Sequence, residues 1–83
     1  MRILADMMRA IQNEGEEGAG PTKILYGANL SHDRLTQYIE ELLEKDLIRS
    51  VENDDQSRIY FLTERGREFL REFGRALNQN GQN

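Results

Sequence analysis

The sequence predicts an α+β, mostly helical domain. Apolar residues recur at three- and four-residue intervals in four separate segments, which is the period of amphipathic helices. Between the third and fourth of them, two runs rich in Ile, Val, Tyr and Phe flank the turn-prone "NDDQS", the pattern of a β-hairpin. At 83 residues and 9.7 kDa there is material for one domain with a modest core, and a partner subunit would add stability.

The first helix is marked by Ile3, Leu4, Met7, Met8 and Ile11 and ends near Asn13, with Arg2, Asp6 and Arg9 on its polar face. "EGEEGAG", from Glu14 to Gly20, then breaks the pattern with three glycines and three like charges, so a loop is expected. Pro21 has the backbone angle of a first helical turn, and Ile24, Leu25 and Ala28 give "PTKILYGA" a short apolar face. Gly27 and Asn29 tolerate the turn that follows.

Ser31 is a good N-cap for the third helix, and Leu30 and Leu35 have the spacing of a hydrophobic staple. Leu35, Ile39, Leu42 and Leu43 form its apolar face with Tyr38 at the margin. His32, Asp33, Thr36, Gln37, Glu40, Glu41 and Glu44 point elsewhere. After Asp46, "LIRSVE" and "RIYFLT" are the two strands. Thr63 caps a fourth helix, where Glu64 suits the positive end of the dipole and Phe69, Leu70, Phe73 and Leu77 continue an apolar seam. The domain is expected over residues 1–78, with 79–83 a disordered polar tail.

This order of elements is that of a winged helix-turn-helix domain. The combination of "TKILYGANLSHDRLTQYIEELLEKDLI" with "YFLTERGREFL" resembles the archaeal winged-helix transcriptional regulators related to the small coiled-coil DNA-binding proteins of archaeal chromatin. The resemblance covers nearly the whole chain. It implies a third helix that enters the major groove and a closing helix that pairs with its symmetry mate in a homodimer. Two departures stand out. Asp46 stands where relatives commonly have Gly, and the wing "ENDDQ" carries Glu52, Asp54 and Asp55, which should repel phosphate.

Under this reading, the exposed side of the third helix offers Ser31, His32, Arg34, Thr36 and Gln37 to DNA, since Arg suits guanine, Gln suits adenine and Thr a thymine methyl. Lys23, Tyr26, Arg49 and Arg58 are candidates for backbone phosphate. The plainer reading of the same face is a solvated surface. The seam of Phe69, Leu70, Phe73 and Leu77 suits either a dimer interface, joined by Ile3, Leu4 and Met7, or cover for the intrachain core. Arg67, Arg71 and Arg75 each follow a Glu by three residues, as in solvated ion pairs.

A net charge of −4 and a pI near 4.9 oppose indiscriminate coating of nucleic acid, so any DNA binding must rest on local placement of Arg and Lys. The absence of Cys excludes disulfides and thiolate sites, and the lone His32 makes neither a metal site nor a catalytic pair. No catalytic residue and no cofactor is expected. The chain is read as cytoplasmic, with double-stranded DNA and a second copy of itself as partners. The alternative is a winged-helix module that binds a protein, such as a component of the transcription machinery, without touching DNA.

Overall fold

A computed structural model describes the backbone of residues 2–81 and the side chains through Arg75. The elements run α1 (Arg2–Asn13), a 3-10 turn (Gly15–Glu17), α2 (Pro21–Ala28), α3 (His32–Glu44), β1 (Ile48–Glu52), β2 (Arg58–Leu62) and α4 (Glu64–Gly81). The four helices and the hairpin expected from the sequence are all present. The backbone of α4 continues to Gly81, into the segment read as a polar tail. Leu77 as a seam residue, and the last two residues of that tail, lie outside the described residues.

α1 is the central element: Leu4, Met7, Met8 and Ile11 are fully buried, among Ile24 of α2, Leu42 of α3, Ile48 of β1 and Leu70 of α4. Leu4 and Met7 are therefore consumed within the chain, and of the first helix's candidates for a dimer seam only Ile3 is left half-buried. α1 and α2 approach closely because Gly27 has no side chain, and a Cβ there would lie 2.6 Å from that of Ala10. Gly27 thus serves the packing of two helices rather than the turn after them.

The exits of α2 and α3 share one device. Asn29 adopts φ 58° and Asp46 φ 61°, each in the left-handed region. After α3, the Leu47 amide donates to Leu42 and the Asp46 amide to Leu43, both at 3.0 Å. After α2, the Leu30 amide donates to Leu25 and the Asn29 amide to Tyr26. This paired closure satisfies the last carbonyls of each helix and turns the chain sharply. It sets the angle between α2 and α3.

Ser31 caps α3 as expected, its hydroxyl accepting the Arg34 amide at 3.4 Å. Thr63 does more than cap α4. Its hydroxyl accepts the Gly66 amide at 3.0 Å and donates to the Asp46 carbonyl at 2.7 Å, while its amide donates to Leu47. One residue thereby ties the exit of α3 to the entry of α4.

β1 and β2 pair antiparallel with Ile48 opposite Leu62, Arg49 opposite Phe61, Ser50 opposite Tyr60 and Glu52 opposite Arg58. The loop before α2 is not free. Ala19 exchanges both backbone hydrogen bonds with Tyr60 at 2.9 Å, adding a bridge to the outer edge of β2. Gly18, at φ 72°, lies against Ile59 and Phe61 so closely that any side chain would collide with Phe61. What reads in sequence as a glycine-rich acidic loop is anchored to the sheet because its small residues let backbone meet backbone.

Candidate nucleic-acid interface

α2 and α3 present their outward residues beside the hairpin. Ser31, His32, Arg34, Thr36 and Gln37 are all exposed at the N-terminal half of α3. Two of them are partly committed. The Ser31 hydroxyl holds the Arg34 amide, and the Thr36 hydroxyl donates to the His32 carbonyl at 3.4 Å. His32, Arg34 and Gln37 keep their polar groups uncommitted among the described residues.

Thr36 also lines a groove of about 400 Å³ between α3 and the hairpin, with Glu40, Leu43, Ser50, Arg58 and Pro21 around it. Arg58 reaches over this groove from β2 and donates to the Ser50 hydroxyl at 3.2 Å. The pairing register places Arg58 on the α3 side of the sheet, whereas Arg49, opposite Phe61, lies on the other side. The two arginines expected to act together at the hairpin base are thus on opposite faces. Arg49 stacks over the Phe61 ring at 4.6 Å instead.

Lys23 pairs with Glu14 at 3.2 Å, so its charge is partly compensated by the loop, while Tyr26 stands 77% exposed on the same helix. Gly20 gives α2 no side-chain cap, and with Pro21 lacking an amide and Ile24 bonded to the Gly20 carbonyl, the Thr22 and Lys23 amides are the first-turn donors without a partner among the described residues. Glu40, which the sequence places only off the apolar face of α3, lines the groove beside Arg58. Its four-residue spacing from Thr36 puts both on one helical stripe, a signal present in the sequence. Leu43, read as core, is 37% exposed at the same groove, because Leu42 takes the inward position at the end of α3.

The wing tip is acidic and ordered by its own side chains. Asp55 accepts from both the amide and the hydroxyl of Ser57, at 3.1 and 2.6 Å, and these bonds hold its carboxyl below the usual carboxylate range. Asn53 and Gln56 close the turn, with Gln56 at φ 71°. Glu52, Asp54 and Asp55 are all exposed there.

On α4, Phe69 and Phe73 are half-buried and stack nearly parallel, with ring centres 6.2 Å apart. Arg9 of α1 lies over the Phe73 ring at 6.0 Å. Leu70, expected in the same seam, is only 7% exposed and belongs to the core, since it points from α4 toward the body of the domain. Among the described residues, no group of three or more His, Cys, Asp and Glu side chains is placed to hold a metal ion, and no helix is long and apolar enough to cross a membrane.

The winged helix-turn-helix family model matches residues 1–80. The chain is a winged helix-turn-helix protein. No curated protein sequence is significantly similar to it. Among solved structures, this winged-helix chain resembles Sso10a-2, a DNA-binding protein from Sulfolobus solfataricus, with a TM-score of 0.77 and 22% identity over 94% of this chain and 77% of that one. It also resembles MepR from Staphylococcus aureus, a transcription regulator of a multidrug efflux pump, at a TM-score of 0.88 and 13% identity over 99% of this chain. A third likeness is to the PcaV transcriptional regulator of Streptomyces coelicolor, at a TM-score of 0.84 and 16% identity over 95% of this chain. The winged helix spans 61% of the MepR chain and 56% of the PcaV chain, so those proteins carry substantial further structure. The fold and the archaeal likeness expected from the sequence both stand.

Proposed function

We propose that the chain is a sequence-specific DNA-binding transcriptional regulator that acts as a homodimer, with α3 in the major groove. The observation that carries this reading is the side of α3 that holds exposed His32, Arg34 and Gln37, flanked across the groove by Arg58. Neither Arg34 nor Arg58 has an ion-pair partner among the described residues. Ser31, His32, Arg34, Thr36 and Gln37 face base edges. Lys23, Tyr26, Arg58 and the open first-turn amides of α2 take the backbone.

The related folds support this reading, since Sso10a-2 is a DNA-binding protein and a MepR mutant is bound to an oligodeoxyribonucleotide. The acidic wing and Glu40 limit binding to sites where base contacts compensate for repulsion of phosphate. Half-buried Phe69 and Phe73 on the extended α4 form the seam with a second copy. The test is selection of genomic fragments by the purified protein, followed by fluorescence anisotropy on the enriched duplex. One enriched palindrome whose binding is lost in Arg34→Ala and Gln37→Ala supports the reading, and equal binding to every duplex counts against it.

A second reading is a protein-binding module, favoured by exposed Leu43 beside Glu40 in the groove and by the acidic wing. A basic, apolar segment of a transcription-machinery protein is the chemistry that surface would take. Enrichment of no duplex at low salt would move the assignment to this reading.

A further inference from the structure

On the face of the sheet away from α3, a cavity of about 420 Å³ opens between the end of α1, the 3-10 turn, the base of the hairpin and the first turns of α4. Arg49 and Arg67 both line it, with Phe61 as its apolar wall and Leu62 at its edge. The guanidinium carbon of Arg49 lies over the Phe61 ring, 4.6 Å from its centre, which holds that group at the cavity wall. One Nη of Arg67 donates to the Leu62 carbonyl at 3.3 Å, which tethers that side chain at the cavity and leaves its remaining donors unused among the described residues.

The charge arrangement is unusual for an acidic chain. Glu68 and Glu72 pair with the arginines three residues later, but Glu64 does not pair with Arg67, which turns to Leu62. Glu16 lines the cavity without lying within ion-pair distance of either arginine. Two oriented guanidiniums therefore share one partly apolar cavity without a bound carboxylate among the described residues. The loop side of the cavity is anchored, since the Ala19–Tyr60 bridge and the Gly18 approach tie that loop to β2.

We propose that this cavity binds a small organic carboxylate with a flat apolar body. Its carboxylate takes the free donors of Arg67 and Arg49, and its body lies along Phe61. The volume lies within the range of small-molecule sites. An occupant bonded to both arginines also ties the hairpin to α4, so it stabilises the folded chain by mass action.

Isothermal titration calorimetry of the full chain, without DNA, tests this independently of the proposed function. The probes are benzoate and 2-naphthoate, with acetate as a carboxylate lacking the body and inorganic phosphate as an anion lacking it. The expected result is saturable binding of at least one aromatic carboxylate, at one per chain, with a matching rise in Tm. Arg49→Gln and Arg67→Gln should each weaken it at least about tenfold, whereas Arg71→Gln, outside the cavity, leaves it unchanged. Circular dichroism of each variant checks the fold, and Arg49→Gln disturbs no helix if Arg67→Gln loosens α4. Absence of saturable binding into the low millimolar range, equal binding of phosphate or acetate, or binding insensitive to Arg49→Gln would overturn the proposal.

Discussion

Asp46 and Thr63 show how single residues set the angles between elements. Asp46 occupies φ 61°, a conformation that disfavours any side chain, yet the closure of α3 demands it. Asp46→Gly is therefore expected to raise stability by about 0.5–1 kcal/mol, the left-handed strain outweighing glycine's added freedom in the unfolded chain. Urea denaturation with an unchanged m-value measures it. Thr63→Ala should act in the other direction, by about 1–2 kcal/mol, because it removes the cap of α4 and leaves the Asp46 carbonyl without its donor. Gly66 is stricter than either, since a Cβ there would fall inside the contact radius of the Leu47 carbonyl oxygen. None of these three roles depends on periodicity, but two carry a local signal. A Ser or Thr before a helical run suggests a cap, and Asp or Asn after one suggests a left-handed exit. The second bond of Thr63, across 17 residues, has no such signal because it depends on tertiary approach.

At the scale of elements, the helices and hairpin were legible because each has a clear apolar period, and the caps at Ser31 and Thr63 fix where α3 and α4 begin. What the period could not give was which side of the sheet each wing arginine takes. That depends on pairing register, which puts Arg58 over α3 and Arg49 over Phe61. The anchoring of the loop before α2 was not legible for a related reason: only the approach of β2 gives its small residues a partner. Two expectations belong at this scale. Glu40→Gln should tighten binding to DNA of any sequence, since it removes a carboxylate from the groove beside Arg58. Anisotropy on an operator and on an unrelated duplex should show gains in both, with the ratio between them reduced. In the wing, the bonds from Ser57 depress the folded pKa of Asp55, so the order they confer is present above the unfolded pKa and is lost as pH falls through the lower folded value. An NMR titration should show the Asp55 carboxyl titrating below an ordinary aspartate, with exchange of the Ser57 amide quickening over the same acid range.

For the whole molecule, the proposed dimer and the proposed DNA contact make one joint prediction. α4 has 18 residues, about 27 Å of helix, and the particle is 48 Å in its longest dimension against 26 and 21 Å in the others. If Phe69 and Phe73 join two copies along α4, the two α3 helices act together on half-sites one or more duplex turns apart. With Lys23 and Arg58 each neutralising one phosphate per protomer, the logarithm of the binding constant should fall against the logarithm of salt with a slope of about −4. The Lys23 pair with Glu14 at 3.2 Å is exposed on the lysine side, so phosphate can replace the carboxylate. Phe69→Ala with Phe73→Ala should leave the fold intact, since the buried core passes through Leu70, while shifting sedimentation equilibrium to the monomer. The slope of that variant on a single half-site should then drop to about −2. A variant that stays dimeric would place the subunit contact elsewhere on the chain, and a monomer that keeps the full slope would show that one copy carries all the phosphate contacts.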